Sequence, residues 1–122
     1  MSPLRHILIA DDDRNLRESL CEVLTDIGWQ ATPAACGSEA IKQLELHAYD
    51  LLLSDVDMPD MTGFQLLAWA RDHHHAEPTV LMSARADQQL NQAALKAGAL
   101  SLLPKPVHLG ELSLLVQRLY PR

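Results

Sequence analysis

Short apolar runs alternate with amphipathic segments along the chain, and this alternation constrains the fold more than any other feature of the sequence. Strands are predicted at 6–10, 29–35, 50–54, 79–84 and 100–104. The spacing of apolar residues predicts helices at 16–27, 37–49, 64–73, 87–98 and 109–119. Several of the runs are apolar almost throughout, as in strands that are buried on both faces. The pattern predicts a doubly wound α/β fold, in which a five-stranded parallel sheet carries helices on both faces.

Glycine, serine and proline mark several element ends. Gly28 and Gly98 follow the first and fourth helices, where glycine commonly ends a helix. Ser38 has the right side chain to cap the second helix, so we predict it as the N-cap. Pro33 interrupts or ends the second strand and has no N–H to donate. We therefore expect that strand at an edge of the sheet.

Length and charge limit what the chain can do. Its 122 residues fit one domain with a single core. The net charge of -6 disfavours nucleic acid or an anionic membrane as a direct partner. No apolar run approaches the length of a membrane span, and the N-terminus has no signal-peptide pattern, which predicts a soluble, cytoplasmic protein. Cys21 and Cys36 lack CxxC spacing and are predicted to be reduced thiols.

Polar residues follow the carboxyl ends of four predicted strands. In chain order they are Asp11, Asp12, Asp13, Asp55, Asp57, Asp60, Ser83 and Lys105. In open parallel sheets this edge is where ligands bind, at the point where the strand order reverses. The sequence thus gathers carboxylates, a hydroxyl and an ammonium at one edge of one sheet.

This combination indicates a metal ion and a phosphoryl group. Carboxylates this close together repel one another unless a cation lies among them or they share protons. Oxygen ligands without Cys or patterned His favour Mg²⁺ or Mn²⁺. Lys105 and Ser83 opposite the metal would hold phosphoryl oxygens. A carboxylate can attack phosphorus to give an aspartyl phosphate, so the cluster predicts phosphoryl chemistry.

Four segments in order resemble one known family. They are "ILIADDD" (7–13), "YDLLLSDVDMPDMTG" (49–63), "VLMSA" (80–84) and "GALSLLPKP" (98–106). Over nearly all of its length the chain resembles a CheY-like receiver domain of a two-component response regulator. The resemblance implies a flavodoxin-like sheet with strand order 2-1-3-4-5. It also implies a single receiver domain over residues 1–122, either a stand-alone regulator or one excised from a longer protein.

The resemblance assigns roles to the residues that match the family's motifs. It implies these ligands for Mg²⁺ or Mn²⁺: the carboxylates of Asp11, Asp12 and Asp55, and the backbone carbonyl of Asp57. Asp55 would be the phospho-acceptor, Ser83 would bind a phosphoryl oxygen and Lys105 would pair with the phosphate. A cis Lys105–Pro106 bond is implied as well.

By resemblance, the chain is a phosphorylation-activated switch rather than an enzyme, although it would assist its own phosphorylation and dephosphorylation. A sensor histidine kinase or phosphotransfer protein would supply the phosphoryl group. The signal would leave through the fourth helix, fifth strand and last helix to an output domain or partner protein, including a second copy of the chain. Leu102 and Val107 stand where the family often has aromatics. Leu95 and Leu114 lie off the core faces of their helices, so with Leu102 they predict a partner surface.

Several polar residues have simpler interpretations. Asp13 is predicted to favour the start of a helix rather than bind metal, and Asp60 to be a turn residue beside Pro59. The adjacent histidines at 73–75 do not share a helix face and indicate a solvated helix end rather than a metal site. Arg85 either approaches Asp57 across the mouth of the site or is a solvated loop residue, and the sequence leaves both open.

Two other functions fit parts of the pattern. A haloacid-dehalogenase-type phosphatase would use Asp55 as nucleophile and Asp57 as acid/base. Pro59 stands where that family has Thr or Val, and 122 residues leave no room for its usual core or a cap. A flavodoxin would bind FMN, but no Ser/Thr/Gly-rich phosphate loop follows the first strand.

Overall fold

The computed structural model describes residues 4–75 and 77–121, and within them five parallel strands form one sheet in the order β2-β1-β3-β4-β5. The strands are β1 (His6–Ala10), β2 (Gln30–Ala34), β3 (Leu51–Asp55), β4 (Thr79–Ser83) and β5 (Ser101–Pro104). The helices are α1 (Arg14–Asp26), α2 (Gly37–Leu46), α3 (Gly63–Asp72), α4 (Gln88–Lys96) and α5 (Leu109–Leu119). This architecture confirms the predicted fold class and strand order.

The sheet is buried on both faces because its central strands are apolar and their side chains alternate in direction. In β1, Ile7 and Ile9 pack with residues of α1 and α5, whereas Leu8 packs with residues of α2 and α3. All five residues of β3 and of β4 are buried. A third cluster packs α4 against β4 through Ala94 and Leu81, on the sheet face that α2 and α3 also cover. These layers fix the strand ends, and thereby the polar residues that follow them.

Most element ends agree with the sequence patterns. Gly28 and Gly98 both have φ of 95°, a left-handed conformation that glycine adopts readily, and each follows a helix as predicted. The strand β2 lies at the edge of the sheet as predicted, but Pro33 neither interrupts nor ends it, because β2 pairs with β1 on one side only and continues to Ala34. Asp13 caps α1 by accepting the N–H of Asn15 at 3.0 Å, so its predicted position at a helix N-terminus is confirmed.

The predicted cap of α2 is wrong. Cys36 holds the N-cap position without a side-chain cap bond, and Ser38 lies inside the helix. The N–H groups of Gly37 and Ser38 are bound instead by the two carboxylate oxygens of Asp60, at 2.9 and 2.8 Å. A cap supplied from another loop leaves no local sequence signal, and Asp60 therefore does more than turn the chain beside Pro59.

Helix boundaries shift by a few residues elsewhere. The α1 helix begins at Arg14, because Asp13 caps it, and α2 ends at Leu46 rather than reaching residue 49. Tyr49 is buried in the core cluster that covers the α2 and α3 face. Within residues 4–75 and 77–121, no helix has the length and apolar character needed to cross a membrane.

Candidate functional site

The carboxyl ends of β1 and β3 bring three aspartates together. The two strands pair in parallel with Ala10 opposite Ser54. The residues that follow these two, Asp11 and Asp55, are therefore neighbours. One carboxylate oxygen from each of Asp11, Asp12 and Asp55 lies within 4.8 Å of the others. Asp11 is fully buried, Asp55 is 5% exposed and Asp12 is exposed. The cluster is thus open to solvent on one side.

Lys105 joins this cluster from the far side of β4. Its Nζ lies 3.0 Å from Asp55 Oδ2 and 2.8 Å from Asp11 Oδ2. The Lys105 N–H donates to the Ser83 carbonyl at 2.9 Å, and the Lys105–Pro106 peptide bond is cis, as the family resemblance implied. Since one ammonium contacts two carboxylates, it offsets much of their mutual repulsion.

Burial and charge shift the pKa values of these groups in known directions. Burial raises the pKa of the Asp55 carboxyl, the hydrogen bond from Lys105 opposes this, and the charge of Asp11 adds to it. Burial also disfavours the Lys105 ammonium, but its close contacts with the negative charges of Asp11 and Asp55 outweigh this and raise its pKa. Lys105 therefore remains a cation, ready to bind an anion.

The donor set fits a hard divalent cation. Asp11 Oδ2 is buried and accepts no hydrogen bond from the described residues, although the Lys105 ammonium lies 2.8 Å away. A carboxylate oxygen has two lone pairs, so this oxygen can still bind a cation beside the Lys105 ammonium. Two further carboxylates, one of them exposed, lie close by. Carboxylate oxygens with room for water are the ligands that Mg²⁺ or Mn²⁺ takes.

Ser83 and Arg85 lie at the end of β4. The Ser83 hydroxyl is buried and accepts the N–H of Arg85 at 3.0 Å, which fixes its position. Arg85 Nη2 lies 3.2 Å from both carboxylate oxygens of Asp57. Of the two alternatives that the sequence left open, the structure shows the approach to Asp57. Both side chains are largely exposed, so the pair adds little stability.

The predicted partner surface is only partly exposed. Leu95 and Leu114 are 52% and 55% exposed, as their positions off the core faces predicted. Leu102 is 8% exposed and packs in the cluster of Leu81 and Ala94, so its predicted place on the surface is wrong. The alternation along β5 turns Leu102 toward α4 rather than toward solvent.

Sequence reasoning missed two contacts at the site. Arg17 Nη1 donates to the Asp11 carbonyl at 2.9 Å, and nothing in the sequence distinguishes Arg17 from other helix-surface arginines. Asp60 binds α2, whose start lies more than twenty residues earlier in the chain.

At the end of α3, the ring of His73 stacks on Trp69 at 4.1 Å, and the residues 73–75 join no metal-ligand cluster among the described side chains.

A doubly wound sheet with an acid cluster, a hydroxyl and a lysine at its switch point is the architecture of a phosphorylation-activated signalling domain. The chain belongs to the response regulator receiver domain family, whose model matches residues 7–117.

Known relatives and structures agree with this assignment. The chain is 36% identical over 110 residues to the DNA-binding transcriptional regulator NtrC of Klebsiella pneumoniae, covering 90% of this chain and 24% of NtrC. It is 40% identical over 114 residues to a 14.6 kDa protein of Leptolyngbya boryana, covering 92% and 87% of the two chains. The receiver domain of Francisella response regulator 1452 superposes with a TM-score of 0.90 at 29% identity, covering 95% and 96%.

The chain therefore spans about a quarter of NtrC and most of the Leptolyngbya protein. Neither the family nor these relatives support the phosphatase alternative.

Proposed function

We propose that Asp55 accepts a phosphoryl group in a reaction that requires Mg²⁺ or Mn²⁺, and that a sensor histidine kinase or phosphotransfer protein donates it. One observation carries this proposal. Asp55 ends a fully buried strand, yet its carboxylate opens toward two further aspartates and contacts the Lys105 ammonium at 3.0 Å. A solvated turn acid would need none of these partners.

The two oxygens of Asp55 have different surroundings. Oδ2 is engaged by Lys105 at 3.0 Å, whereas Oδ1 receives a long N–H contact of 3.4 Å from Asp57. Oδ1 is therefore the freer oxygen to attack phosphorus. As its bond to phosphorus forms, the bond from phosphorus to the donor breaks and the donor atom takes the electron pair. The product is an aspartyl phosphate.

The remaining groups stabilise charge on the transferred phosphoryl group. The carboxylates of Asp11, Asp12 and Asp55 and the carbonyl of Asp57 would hold the cation, which supplies positive charge to the phosphoryl oxygens. Lys105 would exchange its contact with the carboxylates for one with a phosphoryl oxygen. The Ser83 hydroxyl would donate a hydrogen bond to another.

We propose that the signal leaves through α4, β5 and α5. Drawing Ser83 and Lys105 toward a phosphoryl group pulls on the loops after β4 and β5, because the Lys105 N–H is bonded to the Ser83 carbonyl. Leu102 is already buried against Leu81 and has no ring to swing inward, so it repacks. The repacking would reshape the surface that carries Leu95 and Leu114. An output domain, a partner protein or a second copy of the chain would contact that surface.

The proposal extends to the setting of the chain. Residues 1–122 act as a single receiver domain of a cytoplasmic signalling pathway. Its relatives differ in what accompanies the receiver, since NtrC is several times longer and the Leptolyngbya protein is of similar length. The receiver would control an attached output region or a separate partner.

Labelling with a small phosphoryl donor tests the assignment of Asp55. Incubation with acetyl phosphate and Mg²⁺ should add one phosphoryl group to the intact mass, and Asp55→Asn should abolish it. Asp57→Asn is the matched control, because it removes a neighbouring carboxylate but keeps the backbone carbonyl. Undiminished labelling of Asp55→Asn would contradict the proposal. Release of free phosphate that Asp57→Asn abolishes would favour a phosphatase instead.

A further inference from the structure

The loop between β3 and α3 carries Asp57, whose backbone carbonyl is one of the proposed cation ligands. The base of this loop is closed by the structure around it. Val56 N–H donates to the Met82 carbonyl and Gly63 N–H to the Val56 carbonyl, both at 2.8 Å. Asp57 and Thr62 form an antiparallel bridge across the base. The tip of the loop, residues 58–61, lies beyond that bridge, and its Met58 and Met61 side chains pack against the core cluster of α2 and α3.

Asp60 adds a polar anchor to this apolar packing. Its Oδ1 accepts the Gly37 N–H at 2.9 Å and its Oδ2 accepts the Ser38 N–H at 2.8 Å, so both oxygens bind the first turn of α2. The two elements also touch closely, because a Cβ at Gly37 would overlap the Met61 side chain. Glycine at this position lets the loop tip lie directly against the helix.

The attachment is mutual. Cys36 gives α2 no side-chain cap, so the free N–H groups of the first turn depend on an acceptor from elsewhere. The bonds from Ser38 and Gly37 also lower the pKa of the Asp60 carboxyl, so the anchor stays ionised at neutral pH. The helix and the loop hold each other in place.

Resting on the proposed function, we infer that Asp60 is a positioning residue for cation-dependent phosphorylation. It fastens the loop tip to α2 and so holds the Asp57 carbonyl at the edge of the acid cluster. Asp60 itself lies outside the cluster and touches neither the cation nor the phosphoryl group. Its loss should weaken cation binding without removing any ligand.

The chain contains a matched control for this inference. Glu39 is also a carboxylate at the start of α2, and its Oε2 accepts the Ala35 N–H at 2.6 Å. Removing Glu39 takes the same charge from the same helix end but cuts no link to the β3–α3 loop. A difference between Asp60→Ala and Glu39→Ala therefore separates loop positioning from helix capping.

The binding of Mn²⁺ alone, followed by the electron paramagnetic resonance signal of the free ion, is the first measurement. Asp60→Ala should raise the dissociation constant about tenfold, the lower end of the range for groups that orient metal ligands. Glu39→Ala should bind as the wild type does. Asp60→Asn keeps one acceptor and places an amide against the other N–H, so it should show a smaller rise in the same direction.

Labelling of Asp55 with acetyl phosphate at increasing Mg²⁺ is the second measurement. In Asp60→Ala the Mg²⁺ concentration for half-maximal rate should rise with the Mn²⁺ dissociation constant. The rate at saturating Mg²⁺ should return to the wild-type value, because no reacting group is lost. Circular dichroism checks that each variant is folded, and if Asp60→Ala is not, the Asp60→Asn arm decides.

The outcomes separate the inference from the proposed function. Wild-type affinity in both Asp60 variants, or an equal loss in Glu39→Ala, would overturn the role of Asp60 while Asp55 still accepts phosphoryl. An unlabelled wild-type protein, or labelling that persists in Asp55→Asn, would overturn the proposed function itself.

Discussion

Replacing Lys105 by methionine tests how the acid cluster is balanced. The substitution keeps most of the aliphatic side chain and removes the ammonium that contacts Asp11 at 2.8 Å and Asp55 at 3.0 Å. The carboxylates of these aspartates then face each other within 4.8 Å. At that distance two like charges repel by about 3.5 kcal/mol at an effective dielectric constant of ~20.

The expected loss of stability is of the same size. Removing one partner of a buried ion pair costs about 3–5 kcal/mol, and the 19% exposure of the Lys105 side chain favours the lower end. A loss of about 3 kcal/mol should lower Tm by about 12 °C in a domain of this length. Lys42→Met is the control, because Lys42 is exposed on α2 and its loss should leave Tm nearly unchanged.

The loss should depend on Mg²⁺ and on pH. A bound cation replaces the missing positive charge, so Mg²⁺ should raise Tm more in Lys105→Met than in the wild type. Burial already raises the pKa of Asp55, and losing the opposing hydrogen bond from Lys105 raises it further. With the folded-state pKa above the unfolded one, lowering the pH through that window protonates Asp55 in the folded state and stabilises the variant.

Thermal melts at several pH values, with and without Mg²⁺, measure all three effects. Equal melting of Lys105→Met and Lys42→Met would show that Lys105 does not neutralise the cluster. A stability gap to the wild type that widens as the pH falls would contradict the sign of the argument for Asp55.

Three further predictions concern the cation, two single contacts and the output face. Mg²⁺ at ten times its dissociation constant should stabilise the wild type by about 1.4 kcal/mol. If millimolar Mg²⁺ leaves the Tm unchanged, the acid cluster is not a metal site. Urea unfolding measures the two single contacts. Arg85→Ala removes an exposed ion pair with Asp57 and should lower the free energy of unfolding by less than about 1 kcal/mol. Tyr120→Phe removes a 2.7 Å hydrogen bond to the Asp50 carbonyl and should lower it by about 1 kcal/mol. Beryllofluoride, which mimics a phosphoryl group, should shift the amide resonances of residues 90–103 as well as those near Asp55, and a silent 90–103 segment would exclude signalling through that face.

The fold was predictable because it depends on patterns that repeat along the chain. Five apolar runs separated by helical spacing fit a parallel sheet, and Pro33 could lie only at an edge. The proposed site residues follow from the same logic, since each is the residue at or just after a strand end. Asp11, Asp55 and Lys105 meet because the sheet brings those ends together.

The parts that could not be predicted depend on single contacts between distant segments. Asp60 binds α2 through backbone N–H groups, and a backbone donor leaves no trace in the sequence. Leu102 lies in a strand of four residues, too short for its alternation to show which side is buried. Arg85 is long and exposed, so its contact with Asp57 depends on a rotamer rather than on a pattern.

The strand order also explains why the three kinds of polar group occupy the strands they do. At the switch point β1 and β3 are neighbours, so Asp11 and Asp55 can share one cation with short side chains. The strand β5 is separated from β3 by β4, about two strand spacings of ~4.8 Å each. Lysine, with a flexible four-carbon stem, spans that distance and reaches Asp55 at 3.0 Å. The intervening strand β4 ends in Ser83, a small residue that is fully buried. The longer side chain, Lys105, thus follows the more distant strand, so side-chain length and strand order specify this site together.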